Sequence, residues 1–154
     1  MSAVAISETE FRVLRDLIRK RIGIFYDDTK QFLLQSRLQT RLVKCSLPDF
    51  SAYHRYLTIG TEREREWSEL ASVLSNNETY FFRERAQLDV LASVVLEDAL
   101  RRSGNLRVWS AACSTGEEPF TLAMMLLGTQ RIGANQLKIR ASDISPRALE
   151  RCSE

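Results

Sequence analysis

Histidine is almost missing from this chain: His54 is the only one in 154 residues. That excludes a histidine-rich metal centre, and it leaves a Ser-His-Asp triad resting on one residue with no nucleophile elbow nearby. His54 is expected to be structural or exposed. Cysteine is scarce as well, with Cys45, Cys113 and Cys152 odd in number and far apart. Such spacing supports neither a disulfide framework nor a zinc site, and it predicts free thiols and no bound metal. No apolar run approaches the roughly 20 residues that cross a bilayer. The opening residues Met1 to Ile6 lack the basic and long apolar regions of a secretion signal. No membrane insertion and a cytoplasmic location are the expectations. Excess charge is small too, a net +2, which does not point to nucleic acid.

What is present fits a globular chain, 44% hydrophobic and 27% charged, with room for one ordinary domain or two small ones. The charge is unevenly placed. From Thr29 to Pro48 there are Lys30, Arg37, Arg41 and Lys44 but no acid. Arg37, Arg41 and Lys44 fall at i, i+4 and i+7 on a helix whose other stripe is Leu34, Leu38 and Leu42. Either a solvated face or a docking surface for an acidic partner follows.

The first half has helical periodicity throughout. Ser7 and Glu10 stand at capping-box spacing ahead of Phe11, Leu14, Leu17 and Ile18, and Gly23 is a stop. A second helix is expected from about Thr29 to Lys44. Asp49 should cap a third that buries Phe50, Tyr53 and Leu57, and a fourth should run from about Glu62 to Leu74 with Trp67 and Leu70 inward. Ser75 to Thr79 breaks the pattern with turn-forming side chains, so the boundary is placed between a helical domain, 1–75, and a second domain, 76–154. A further helix should reach about Arg102 and stop at Gly104. Strand, helix, strand, helix then follow: Leu106–Ala111, Glu118–Leu127, Leu137–Ser142, and a last helix with Ser145 as cap and Pro146 at its first position. That order implies parallel strands in an α/β sheet, giving the fold class α+α/β. Two parallel strands bury the faces of such a sheet poorly, so the second domain is expected to be truncated.

The turn Ala111-Ala112-Cys113-Ser114-Thr115-Gly116, between strand and helix, has the placing of a nucleotide-type cofactor site. Glu117 and Glu118 follow it. Two acids at a helix N-terminus repel a pyrophosphate, which that position otherwise attracts. S-adenosylmethionine, with its positive groups and free hydroxyls, suits the turn better. A nicotinamide dinucleotide oxidoreductase is disfavoured, because the glycine series that lets backbone approach a pyrophosphate is missing. Asp143 lies just past the second strand, where an acid reaches ribose hydroxyls or, alternatively, caps the following helix. Of Phe81 and Phe82, at least one is expected to serve only as packing.

Asn77-Glu78-Thr79-Tyr80-Phe81-Phe82-Arg83-Glu84, then Trp109 to Pro119, then Ala141-Ser142-Asp143-Ile144-Ser145, resemble the chemotaxis receptor glutamate methyltransferases, the CheR-type family. The resemblance extends over the helical half, where Gly23, Lys30, Arg37 and Arg41 match a glycine turn followed by a basic helix. It implies a Rossmann-like S-adenosylmethionine-dependent methyltransferase domain after a helical receptor-docking domain. By the same resemblance the cofactor residues are Asn77, Thr79, Arg83, Glu118 and Asp143. Arg83 is also the candidate catalytic residue, its fork suiting the methionyl carboxylate or the substrate carboxylate. Arg37, Arg41 and Lys44 would dock an acidic helical region of a methyl-accepting receptor. The implied activity is methyl transfer to glutamate carboxylates in chemotaxis by a monomeric enzyme. The alternatives are a truncated module that binds receptor without catalysis and, less favoured, a nucleic-acid methyltransferase.

Overall fold

A computed structural model describes residues 4–154. They divide into two compact units, one ending at Ser75 and the other beginning at Asn76.

The first unit is four helices: α1 (Glu8–Ile22), α2 (Gln31–Lys44), α3 (Phe50–Ile59) and α4 (Arg63–Leu74). Their ends follow local chemistry. Ser7 and Glu10 form the reciprocal capping box of α1, and Gly23 ends it at φ 86°, a left-handed backbone that suits glycine. Asp49 accepts the Ala52 N–H at the start of α3. The second helix begins later than its periodicity suggests, because Asp28–Lys30 forms a 3₁₀ turn capped by Asp27. Phe11, Leu14, Ile18, Leu34, Leu38, Phe50, Tyr53, Leu57 and Leu70 make one apolar core. Gln31 and Gln35 of α2 clamp the extended N-terminal segment by bonding the Ile6 carbonyl and N–H.

Within that core sits a charged group. Arg41, 4% exposed, donates through Nε and Nη2 to both oxygens of Glu66, also 4% exposed, at 2.9 and 2.6 Å. The Tyr53 hydroxyl and the Cys45 thiol donate to the same carboxylate at 2.6 and 3.2 Å, and Glu69 takes the remaining arm of Arg41. Three helices are joined by one carboxylate. The single solvent-facing stripe expected of Arg37, Arg41 and Lys44 is therefore corrected. Arg41 is withdrawn because α4 presents an acid to it. Arg37 is half-buried and donates to the Leu74 carbonyl and the Tyr26 hydroxyl, leaving Lys44 exposed.

The second unit opens with the linker motif and a helical run made of α5 (Arg85–Val90), a π turn (Leu91–Val95) and α6 (Leu96–Ser103), ended by Gly104 at φ 65°. Periodicity predicts one uninterrupted helix here; the π turn is a finding of the structure. Then come β1 (Leu106–Ala111), α7 (Glu117–Gly128), β2 (Leu137–Ser142) and α8 (Pro146–Cys152). β1 and β2 pair in parallel from Leu106↔Leu137 to Ala111↔Ser142, the pairing that a helical crossover requires. Leu96, Leu106, Leu122, Leu126 and Ile132 are the buried centre of this unit. Among the described residues the sheet has two strands, and Trp109 on β1 is 68% exposed.

Candidate functional site

The turn after β1 is built tightly. Ala112 and Ser114 have positive φ, 63° and 50°, and Gly116 reaches 103°. Non-glycine residues in this region are uncommon, and strain of this kind gathers where surroundings over-determine the backbone. The surroundings are visible. The Cys113 N–H bonds the Ser142 carbonyl at the end of β2, and the Gly116 N–H bonds the Cys113 carbonyl, both at 3.0 Å. Cys113 is buried, and burial foremost pushes its thiol pKa up.

Ser114 ties the linker motif to the turn. Its hydroxyl donates to the Asn77 carbonyl at 2.9 Å, and its N–H donates to one oxygen of Asp143 at 2.8 Å. The other Asp143 oxygen accepts the Ser145 N–H at 2.8 Å. Ser145, rather than Asp143, caps α8 by accepting the Ala148 N–H. Each Asp143 oxygen thus has one backbone donor and acceptor capacity to spare. The two acids of α7 are also held: Ser110 donates to Glu118, and Thr115 donates to Glu117. Both stand at the helix N-terminus, where the macrodipole favours them.

A cavity of about 310 Å³ opens beside this turn. Thr79, Arg83 and Glu118 line it, together with Ala112, Cys113 and Ser114. Asn77 lies on a neighbouring depression with Thr115 and Glu117, and Asp143, which lines neither hollow, is joined to both through Ser114. The structure brings three of the five expected residues to one cavity and links the other two to its wall. Arg83 curls over its own turn, Nη1 donating to the Glu78 carbonyl at 2.9 Å while the guanidinium lies 5.9 Å from the Tyr80 ring centroid. Phe81 and Phe82 are both exposed, so the expectation that one of them packs in a core is corrected. They belong to a turn on the surface, not to a helix face. Ser110, Ser114 and Thr121 escape a reading of the sequence, since hydroxyls carry no period. The only hint is their place around a small-residue turn. Among the described residues no group of three or more His, Cys, Asp or Glu side chains is arranged to hold a metal ion.

The donor set fits S-adenosylmethionine. Of the residues that line the cavity, Glu118 offers an acceptor for ammonium or hydroxyl groups and Arg83 a planar fork for a carboxylate, and the volume lies at the lower end of the roughly 300–1,000 Å³ usual for small-molecule sites.

A parallel β–α–β unit with an acid-flanked small-residue turn and an acid after its second strand defines the nucleoside-cofactor class of Rossmann-like domains. Comparison with known proteins narrows the class. Residues 77–154 match the family model of the CheR methyltransferase SAM-binding domain, and residues 9–75 match that of the CheR methyltransferase all-alpha domain. The chain belongs to the CheR methyltransferase family, whose cofactor is S-adenosylmethionine. It is 40% identical over 148 residues to the chemotaxis protein methyltransferase of Escherichia coli (strain K12), covering 96% of this chain and 50% of that protein. It is 35% identical over 157 residues to chemotaxis protein methyltransferase 2 of Vibrio cholerae, covering 100% of this chain and 54% of the relative. The chain spans about half the length of these curated relatives.

Proposed function

We propose that the α/β unit holds S-adenosylmethionine in the cavity beside Gly116, and that the protein methylates glutamate side-chain carboxylates of methyl-accepting chemotaxis receptors in the cytoplasm, acting as a monomer. The observation that carries this reading is the convergence of Thr79, Arg83 and Glu118 on one cavity. When bound, S-adenosylmethionine supplies the electrophilic methyl group. Asp143 would take ribose hydroxyls on the lone pairs its two backbone donors leave free. Glu118, fixed by Ser110, offers negative charge to a cationic group. Arg83 pairs with a carboxylate, of the cofactor or of the substrate. Thr79 on the cavity wall and Asn77, whose carbonyl accepts the Ser114 hydroxyl, are the remaining cofactor residues. A glutamate substrate is already ionised at neutral pH and needs no general base. A cavity lined without histidine is consistent with that chemistry. Orientation and exclusion of water then do most of what the site has to do.

Isothermal calorimetry with S-adenosylmethionine tests the cofactor assignment. Binding is expected in the wild-type chain, with at least a tenfold loss in Asp143→Ala; no heat in either would leave a receptor-binding module without cofactor. NAD should give none.

Receptor docking is assigned to the helical unit. With Arg41 buried, the docking cations expected on α2 reduce to Lys44 and the partly exposed Arg37. Lys44→Glu should weaken binding to an acidic receptor fragment about fivefold, or about 1 kcal/mol. It should also flatten the salt dependence while cofactor affinity stays unchanged. Equal receptor affinity in the variant would remove Lys44 from the interface.

A further inference from the structure

Phe82 and Glu84 both have positive φ, 61° and 53°, on either side of Arg83. A bulky aromatic in this region is strained and stays there only under restraint. Thr121, in the second turn of α7, provides one. Its hydroxyl donates to the Glu117 carbonyl at 2.6 Å, a bond back along its own helix that fixes the hydrogen and leaves a lone pair facing outward. The Phe82 N–H donates to that oxygen at 3.1 Å. Thr121 is buried at the wall of the cavity, while Phe82 keeps an exposed ring. The bonds from Arg83 Nη1 to the Glu78 carbonyl and from the Arg83 N–H to the Tyr80 carbonyl lie inside the turn and move with it, and on the far side of Arg83 the Glu84 carbonyl accepts the Gln87 and Leu88 N–H groups and joins the turn to α5. The bond to Thr121 ties the turn to α7, whose first residues carry Glu118. A threonine hydroxyl is therefore the link between the turn that carries Arg83 and the helix that carries Glu118.

We propose that Thr121 is a positioning residue for the cofactor site: through the Phe82 N–H it holds the strained turn that presents Arg83 to the cavity. This rests on the reading of that cavity as the S-adenosylmethionine site. Without the hydroxyl, Phe82 is free to leave the left-handed region, and Arg83 swings with it. The methyl group of Thr121 has no part in this, so serine should serve and valine, of nearly the same shape, should not.

S-adenosylhomocysteine titrations of the chain, followed by calorimetry, test the proposal. Thr121→Val is expected to weaken binding about tenfold with little change in the melting temperature, and Thr121→Ser to keep the wild-type affinity. In a double-mutant cycle with Arg83→Ala the losses should be strongly non-additive, because Thr121 acts through Arg83. Amide exchange at Phe82, measured without ligand, should speed up in Thr121→Val and stay slow in Thr121→Ser. No binding by the wild-type chain would overturn the cofactor reading and this proposal with it. Wild-type binding with unchanged affinity in Thr121→Val, additive losses in the cycle, or a serine variant as weak as valine would overturn the role of Thr121 alone.

Discussion

Replacing Glu66 by alanine is expected to lower the stability of the helical unit by about 3–5 kcal/mol, because it leaves the Arg41 guanidinium buried without its carboxylate. Domains of this kind are stable by only about 5–15 kcal/mol, so the variant should be largely unfolded or close to it. Glu69 cannot take over, since it reaches only one arm of Arg41 at 3.3 Å and is itself partly exposed. The Tyr53 hydroxyl and the Cys45 thiol would lose their acceptor in the same step. Replacing the pair together, Arg41→Met with Glu66→Leu, should recover part of the loss, because an apolar pair of similar volume has no charge to desolvate while the Tyr53 hydroxyl still lacks its acceptor. Trp67 is a local probe, buried in this unit with its Nε1 donating to the Leu57 carbonyl at 3.1 Å. In a Trp109→Phe background its fluorescence reports urea unfolding of the helical unit alone. A shift below about 1 kcal/mol in Glu66→Ala, the size of an exposed pair, would mean that the network contributes little.

The same carboxylate makes the unit sensitive to acid. Burial pushes the Glu66 pKa up, but the hydrogen bonds from Arg41, Tyr53 and Cys45 outweigh it and the net shift is downward from 4.5. A carboxyl depressed in the folded state stabilises above its unfolded value, and that contribution is lost as pH falls through the folded one. The Trp67-monitored midpoint should therefore drop below pH 4.5 in the wild type, and the Met/Leu pair should remove part of that drop.

Arg41 also marks where sequence reading stops. The ends of α1, α3, α6 and α8 follow from Ser7, Gly23, Asp49, Gly104 and Ser145, because a cap is settled by residues within one turn. The strands are legible for a similar reason: Leu106–Ala111 and Leu137–Ser142 are short segments of largely alternating apolar and polar residues bounded by turn residues. The burial of Arg41 has no local signal. Its partner lies 25 residues away on α4, and along α2 alone its spacing with Arg37 and Lys44 is that of an exposed stripe. Thr79, Arg83 and Glu118 could be singled out through a family resemblance, whereas Ser114 and Thr121 could not. What they do depends on left-handed backbone at Phe82, Ala112 and Ser114, where no glycine announces it.

Gly116→Ala should damage the α/β unit well beyond the usual cost of a side chain at a glycine. At φ 103° the backbone lies outside the left-handed region that other residues tolerate, which costs about 1–3 kcal/mol. An added Cβ would also stand 2.7 Å from the Cys152 sulfur and 3.0 Å from the Phe120 ring, so these side chains must shift to admit it, a further cost at the lower end of the roughly 1–3 kcal/mol usual for overpacking. Gly104→Ala is the control: φ is again positive, 65°, but the nearest neighbour is the Gln136 side chain at 4.0 Å. Strain acts in both variants and crowding only at Gly116. Cys152→Ala combined with Gly116→Ala should recover part of the loss by removing the sulfur, and it should leave the backbone strain in place. Thermal melts followed by far-ultraviolet circular dichroism rank the stabilities, and S-adenosylhomocysteine titration reports whether the turn still holds its shape. A Gly116→Ala chain no weaker than Gly104→Ala would show that the wall behind the cavity yields, and the turn could then not be the rigid support on which Ser114 fixes both Asn77 and Asp143.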